Sequence, residues 1–423
     1  MPTNRRKLGL VALTALVVGN MVGSGVFLLP AALAPFGAAG VLGWIASAGG
    51  SMLLGLVIAS LARRSPAAGG PYAYVLDAFG ELPAFLVGWG YWVSCWCAQA
   101  AIAVAMVGYL GELVPGVARA PQWVAAAAIL LLCAVNVAGV REAGLVQVVT
   151  TILKLLPLLA IAVWGWVHVD PGLLTPFNPS GLPLSEVTQS SLALTLWAFL
   201  GFESASIAAG EAADPVRTVP RATLIGIAVA TVLYVASSYA VMGLVPRQSL
   251  ATATAPYADA ARVLWGDGGA KLVAAGAFVS CLGALNGWIL VSGQMPLAIA
   301  RDRLFPAAFG AVGRRHTPTF GLVVSSALGI ALVFANYSRP LVAMYTGMIL
   351  LSSVSALVAL VFMTMAEVVL LARTKSSTPR AVLIALGAFG YGLIAISGAG
   401  HEAVSWGFLL LLGGLPIFVF VRR

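Results

Sequence analysis

The sequence predicts an all-α protein that crosses a membrane many times. Of its 423 residues, 61% are hydrophobic and only 9% are charged, whereas a soluble domain carries about 25% charged residues. Its 47 glycines also suit membrane helices, in which glycine is more frequent than in soluble ones. No long polar run indicates a separate soluble domain. The composition therefore excludes the class of soluble globular enzymes.

Twelve apolar stretches are long enough to span a bilayer, which takes about 20 residues. Several are longer than that, so we expect tilted, bent or broken helices. The predicted spans cover residues 8–34, 38–62, 83–111, 121–140, 144–168, 187–210, 219–245, 270–299, 319–337, 341–371, 380–399 and 403–421.

The basic residues of the connecting loops favour one side of the membrane. Apart from Lys154, which lies within a span, the side opposite to the termini carries only Arg119, Arg247, Arg262, Lys271 and Arg339. The positive-inside rule then places both termini in the cytoplasm, and the protein in the inner or plasma membrane of the cell. The net charge of +9 is explained by this asymmetry, and membrane lipid is an expected partner. It does not require a nucleic-acid partner.

The first span contains an unusual polar interruption in "GNMVGSGVFLLP". Glycine is a poor helix former, and hydrocarbon leaves Asn20 and Ser24 without hydrogen-bond partners. We expect the helix to break near Gly25. The free N–H groups at the start of the second half-helix, together with the Ser24 hydroxyl, would then attract a carboxylate.

The sixth span carries the same kind of interruption in "TLWAFLGFESASIAAG". Gly201 precedes Glu203, an acid placed within an apolar stretch, and broken backbone is tolerated there only where it lines a cavity or is buried in protein. The freed carbonyls of Ala198, Leu200 and Gly201 would accept hydrogen bonds from an amino group. Helix packing through glycine alone remains the alternative.

Interruptions in the first and sixth spans indicate a five-plus-five inverted repeat. Such paired breaks are the best sequence pointer to a transporter site at the membrane midplane. The repeats would cover residues 1–170 and 186–372, and residues 379–423 would add two further helices. A carboxylate site and an amine site that face each other describe a receptor for an α-amino acid.

Four motifs resemble the amino acid–polyamine–organocation superfamily: "GNMVGSGVFLLP", "SPAAGGPYAY", "TLWAFLGFESAS" and "SCLGALNGW". The resemblance is greatest to its basic amino acid/polyamine antiporters of the arginine/agmatine type. It extends from Leu8 to the end of the twelfth span. It implies the leucine-transporter fold with helices 1 and 6 broken, and it is compatible with a homodimer.

The resemblance implies a set of substrate-site residues. They are Asn20, Ser24, Gly25, Tyr91, Cys95, Gln99, Trp197, Ala198, Leu200, Gly201, Trp288 and either Ser352 or Ser353. Tyr91 resembles a gate residue, Trp197 the aromatic that closes over a cationic side chain, and Trp288 the aromatic at the distal end. Glu203 resembles an acid that senses or carries protons. Gln99 replaces an Asn of the family pattern.

Two tryptophan faces beside a cavity suit a cation independently of the resemblance. Cation–π attraction reaches about 2 kcal/mol when the cation is desolvated. Trp197 and Trp288 could equally be packing aromatics, since the chain has eleven Trp residues.

Lys154 in the fifth span departs from the arginine/agmatine pattern, which has a small apolar residue there. In other superfamily members such a Lys resembles a tethered substitute for a sodium ion beside the first-span break. It could bind and release a proton in each cycle, or it could only pin helices together.

These observations predict a secondary transporter that works by alternating access, with no cofactor, no metal and no enzymatic activity. Its expected substrates are cationic amino acids or related amines, which it exchanges in the arginine/agmatine manner, with protons as a potential coupling ion. A first alternative is a proton-coupled symporter or sodium-independent exchanger of neutral amino acids that uses Lys154. A second is a substrate sensor with a transporter fold.

Overall fold

The computed structural model describes residues 9–23, 25–64, 71–139, 143–203, 214–313 and 317–422. Within these ranges the chain forms helices joined by turns, and no strand is present. We number the α-helices in chain order as α1 Leu10–Met21, α2 Gly25–Leu33, α3 Val41–Arg64, α4 Pro71–Phe79, α5 Glu81–Leu113, α6 Pro121–Ala138, α7 Ala143–Trp164, α8 Leu184–Leu196, α9 Pro215–Leu244, α10 Arg247–Thr252, α11 Pro256–Arg301, α12 Thr319–Ala335, α13 Leu341–Arg373, α14 Pro379–Gly398, α15 Gly400–Leu412 and α16 Gly414–Val421.

Eight helical stretches among the described residues are long and apolar enough to cross a membrane. They are Gly25–Arg63, Glu81–Leu113, Pro121–Ala138, Val216–Leu244, Pro256–Arg301, Leu341–Arg373, Pro379–Gly398 and Gly400–Val421. Three shorter apolar helices are Leu10–Met21, Lys154–His168 and Thr319–Ala335. The chain is therefore a multi-pass membrane protein. Its predicted count of twelve spans and its division into repeats stay predictions.

Local sequence signals explain where many helices begin and end. Five of the helices start at a proline (Pro71, Pro121, Pro215, Pro256 and Pro379), whose missing N–H costs nothing in the first turn. Helix α6 ends at Gly139, which takes the left-handed conformation (φ 70°) that favours glycine.

Several helices differ from the predicted spans. Helix α11 extends to Pro256, well before the predicted start at residue 270, and it bends at Gly266, where φ is 70°. The last predicted span is divided between α15 and α16. Residues Pro71–Phe79, which lie between the second and third predicted spans, form helix α4. Each difference places a helix boundary where glycine or proline permits it, rather than where hydropathy changes.

Helix α5 lies at the centre of the bundle. It packs most extensively against α11 and α13, and it also contacts α4, α6 and α12. Its residues from Gly90 to Tyr109 are all buried. Because α5 touches so many neighbours, its polar side chains can reach several other helices at once.

Small residues let α3 and α8 approach each other closely. A Cβ added to Gly43 would lie 2.5 Å from the Ser191 backbone, and the Ser47 hydroxyl donates to Leu192 O (3.0 Å). Small residues and hydroxyls of this kind are how membrane helices associate without a hydrophobic driving force. This packing fixes α8 in place just before its backbone breaks.

Candidate functional site

Two interrupted helical segments meet in the interior of the bundle. Helix α1 ends at Met21 and α2 begins at Gly25; the predicted site residue Ser24 lies outside the described residues. The second segment is α8, which ends at Leu196 and is followed by a short 3₁₀ turn, Trp197–Phe199. The helical break that the sequence predicted near Gly25 is therefore present.

The backbones of the two interruptions are in direct contact. A Cβ on Gly201 would lie 2.9 Å from the carbonyl oxygen of Asn20, and Gly201 has a φ of 113° that side chains rarely adopt. A Cβ on Gly25 would lie 2.8 Å from two ring carbons of Trp197. Only glycine fits either position without displacing its neighbour, so the two glycines define how closely the segments approach.

Side chains from distant helices donate hydrogen bonds to the backbone on both sides of the first interruption. The ammonium group of Lys154 on α7 donates a hydrogen bond to Gly19 O in the last turn of α1. A cation is favourable at a helix C-terminus, where unsatisfied carbonyls concentrate partial negative charge. On the other side of the break, the Tyr345 hydroxyl on α13 donates to Gly25 O (2.7 Å). Lys154 is therefore beside the first break.

The second interruption is held mainly by a residue of its own. The Gly201 N–H donates to Glu203 Oε2 (3.0 Å), and the Tyr91 hydroxyl donates to Glu203 Oε1 (2.8 Å). Tyr234 on α9 donates its hydroxyl to Ala198 O (3.1 Å). Glu203 is only 3% exposed, so its carboxyl group lies within the protein and ties α5 to the break.

The Trp197 side chain lies between the two interruptions and is buried. Its Nε1–H donates to Ser352 Oγ (3.3 Å). Its ring packs edge-on against Tyr345, with a centroid distance of 5.9 Å and an interplanar angle of 89°. The structure thus brings together Gly25, Trp197, Tyr345 and Ser352 from three separate elements.

Tyr91, Cys95 and Gln99 recur every fourth residue along α5 and so share one side of that helix. Cys95 is buried with a free thiol. The Gln99 side-chain amide donates to Ser292 Oγ on α11 (2.7 Å). Its Oε1 atom is buried and has no hydrogen-bond partner among the described residues. An acceptor of this kind in the interior suits a donor that is not part of the protein.

The remaining predicted residues occupy the neighbouring helices. Ser353 is buried next to Ser352, and its hydroxyl has no hydrogen-bond partner in the described part of the chain. Leu200 is buried in the second interruption. Trp288 is half-buried in α11. Its role at the distal end of a substrate site stays a prediction.

An open cavity of about 1110 Å³ approaches these residues from one end of the bundle. Trp96 and Met348 form part of its wall; they lie one residue after Cys95 and one turn before Ser352. The Arg339 guanidinium and the Glu402 carboxylate form an ion pair (2.6 Å) at this cavity. Ala31 and Ala32 of α2 also line this mainly apolar cavity, so it reaches the second half of the first interrupted segment.

Three residues of the site were not predicted from the sequence: Ser94, Tyr234 and Tyr345. The backbone carbonyl of Ser94 accepts a hydrogen bond from the Ser352 hydroxyl, and the hydroxyls of the two serines are also hydrogen-bonded to each other. The hydroxyls of Tyr234 and Tyr345 donate to backbone carbonyls at the two interruptions. A buried Tyr usually has a hydrogen-bond partner. That tendency marks such residues as candidates, but it does not say which carbonyl they reach.

Comparison with known proteins gives one family over almost the whole chain. The sequence profile described as amino acid permease matches residues 8–420. The chain is 30% identical to the putrescine transporter PotE of Haemophilus influenzae, over 100% of this chain and 98% of that protein. It is 31% identical to PotE of Escherichia coli, over 97% and 95% of the two chains. It is 34% identical to the cadaverine/lysine antiporter of Escherichia coli, over 78% and 75%.

Proposed function

Because this chain belongs to the amino acid permease family of the amino acid–polyamine–organocation superfamily, we propose that it exchanges cationic amino acids and related aliphatic amines across the membrane. The family and the relatives above are transporters, so the chain is a transporter and not an enzyme. The names of those relatives specify putrescine, cadaverine and lysine. Arginine and agmatine, which the sequence resemblance suggested, belong to the same chemical class.

The observation that carries the proposal is the contact between the two interruptions. Gly25 and Gly201 bring the broken segments together beside Trp197 and Glu203. Backbone that has left a helix can bind polar groups of a substrate, and an aromatic face next to a carboxyl group suits an ammonium or a guanidinium group. The Oε1 atom of Gln99, which has no partner within the described ranges, adds an acceptor for an N–H donor.

The substrate site of this proposal consists of the residues named from the sequence. The carboxylate of an amino acid would be received by Ser24 and the start of α2, and the α-amino group by the carbonyls of the second interruption. Tyr91, Trp197 and Trp288 would gate or flank the side chain. A diamine lacks the carboxylate, so it would use the second half of the site alone.

The finer predictions about the transport cycle belong to this proposal. We expect twelve spans in two inverted repeats, both termini in the cytoplasm and alternating access around the two interruptions. Glu203 or Lys154 would exchange protons during the cycle, and the protein would work as a monomer or within a homodimer.

The contact between Lys154 and Gly19 O supports a cycle without sodium. The ammonium group lies at the C-terminal end of α1, whose partial negative charge favours a cation. This contact also suits the second candidate function, a sodium-independent exchanger of neutral amino acids. The two candidates differ in the side chain that the site accepts.

The test is counterflow into proteoliposomes that contain the purified protein. Vesicles loaded with putrescine, cadaverine, lysine, arginine or agmatine should accelerate uptake of labelled arginine, lysine or putrescine. Vesicles loaded with leucine or alanine should not, and replacing sodium by choline should leave the rate unchanged. Preference for leucine or alanine would overturn the amine assignment in favour of the second candidate.

Substrate binding can be measured separately by thermal shift of the purified protein. A ligand that binds only the folded state raises the unfolding temperature, by an amount that grows with the logarithm of the ratio of its concentration to its dissociation constant. All amino acids and the common polyamines should be screened. We expect the cationic compounds that drive counterflow to give the largest shifts.

A further inference from the structure

The Trp197 ring is held by contacts on three sides. Gly25 leaves just enough room for one face, Tyr345 packs edge-on, and Ser352 accepts the hydrogen bond of the indole N–H. The first residue is on α2 and the other two are on α13. Tyr345 and Ser352 are seven residues apart, which is about two helical turns and places them on one side of α13.

The hydroxyl of Ser352 has no remaining capacity for a substrate. A serine hydroxyl has one donor and two acceptor positions. Ser352 donates to Ser94 O (2.9 Å), it accepts from Trp197 Nε1 (3.3 Å), and it lies 3.1 Å from Ser94 Oγ. A guanidinium or ammonium group can only donate. Such a group could reach Ser352 Oγ only by displacing Trp197 or Ser94.

We propose that Ser352 is a positioning residue that holds Trp197 over the first interruption, and that it does not bind the substrate. This inference rests on the proposed function in one respect, the role of Trp197 as the residue that closes over the substrate. The sequence left open whether Ser352 or Ser353 contacts the substrate. The Ser353 hydroxyl has no hydrogen-bond partner among the described residues and so has capacity for a substrate, whereas the Ser352 hydroxyl does not.

The hydrogen bond links movement of Trp197 to α13 and α5. Any displacement of the indole from Gly25 breaks its bond to Ser352, and the Ser352 hydroxyl is anchored to the backbone of α5 through Ser94. The closed position of Trp197 is therefore favoured by a bond that a substrate does not supply. Removal of this hydrogen bond should change how readily the Trp197 ring leaves its closed position, and the change should be the same for every substrate.

The experiment follows the Trp197 ring directly by ¹⁹F NMR. The full-length protein is labelled with 5-fluorotryptophan in detergent micelles without substrate, and Trp197→Phe identifies the resonance. The variants are Ser352→Ala, Ser352→Thr and Ser355→Ala. Ser355 is the matched control, because it lies on the same helix and its hydroxyl donates to Leu351 O of that helix (2.9 Å) rather than to another described helix.

Ser352→Ala should shift the Trp197 resonance or split it into two, with the displaced population raised about fivefold, as expected for the loss of one hydrogen bond. Ser352→Thr keeps a hydroxyl and should restore the wild-type resonance, and Ser355→Ala should leave it unchanged. An unchanged Trp197 resonance in Ser352→Ala would overturn the proposal. If Ser352→Ala does not fold, Ser352→Cys takes its place, because a thiol is a much weaker acceptor than a hydroxyl: an altered Trp197 resonance supports the proposal and an unaltered one opposes it.

Counterflow kinetics separate positioning from substrate binding. A positioning role predicts that Ser352→Ala changes the turnover rate by the same factor for arginine, lysine and putrescine, with unchanged ratios of their KM values. A rise in KM for arginine alone would assign Ser352 to the substrate instead. If the wild-type protein exchanges no amine, the proposed function fails, whereas the NMR result still decides the role of Ser352.

Discussion

The two interruptions meet at one place but are held in different ways. At the first, the freed Gly19 carbonyl accepts a hydrogen bond from Lys154, and the Gly25 carbonyl at the start of α2 accepts one from Tyr345; these partners are 135 and 320 residues away in the sequence. At the second, the freed N–H of Gly201 donates to Glu203, two residues further along the chain. One break depends on the assembled bundle, and the other contains part of its own support.

This difference predicts how each interruption responds to substitution. The second interruption requires a backbone conformation, a φ of 113° at Gly201, that its neighbours cannot relieve. The first requires correct distant partners. A substitution at the second should therefore act through local strain, and substitutions around the first should act on one another.

Replacing Gly201 by Ala should have the largest effect. The added Cβ meets the Asn20 carbonyl at 2.9 Å in a conformation that alanine rarely adopts. Strain at such a φ costs about 1–3 kcal/mol, and overpacking costs a similar amount. We expect the unfolding free energy in detergent to fall by about 2–6 kcal/mol and counterflow to be lost.

Gly390→Ala is the control for this substitution, because no atom of the described residues lies within 4 Å of a Cβ at Gly390. It should leave the unfolding temperature and the counterflow rate close to wild type. Full stability of Gly201→Ala would mean that the second interruption adapts locally, which contradicts the comparison.

Replacing Lys154 by Met should have an intermediate effect. The substitution keeps an unbranched side chain of similar length but removes the donor to Gly19 O. A buried carbonyl left without a partner costs about 1–3 kcal/mol. We expect a loss of stability in this range, measured by thermal unfolding, and slower counterflow.

Lys271 on α11 is exposed, so Lys271→Met serves as the matched control and should behave like the wild type. If Lys154→Met retained both the stability and the counterflow rate, the ammonium group would have no part in holding the first break.

The two tyrosines give the smallest effects and the sharpest comparison. Tyr345→Phe removes the bond to Gly25 O and Tyr234→Phe the bond to Ala198 O, each at a cost of about 1 kcal/mol. Combined with Lys154→Met, Tyr345→Phe should deviate from additivity by at least about 0.5 kcal/mol, because both side chains support one break.

Tyr234→Phe supports the other interruption and should add to Lys154→Met without coupling. Double-mutant cycles, built from the thermal unfolding of the single and double variants, measure the coupling energy of each pair. Equal coupling in the two cycles would show that the interruptions form a single unit.

The sequence predicted the first break for a physical reason, whereas the position of Lys154 beside it was implied only by the family resemblance. Asn20 and Gly25 are costly in a continuous membrane helix, so their presence marks the position of a break. Tyr345 and Tyr234 carry no such mark, because a tyrosine in an apolar span is compatible with any partner. The hydrogen bonds of Ser352 depend on how α5, α8 and α13 pack, and residue spacing within one helix does not contain that information.

The long sequence separations at the first interruption have a consequence for biosynthesis. When α1 and α2 leave the ribosome, the partner of Gly19 O is still 135 residues away and that of Gly25 O is 320 residues away. Hydrocarbon offers the Gly19 carbonyl no substitute donor. The first break in the chain thus reaches its final hydrogen bonding only after the tenth predicted span has been made, so the earliest part of the site to be synthesised is among the last to mature.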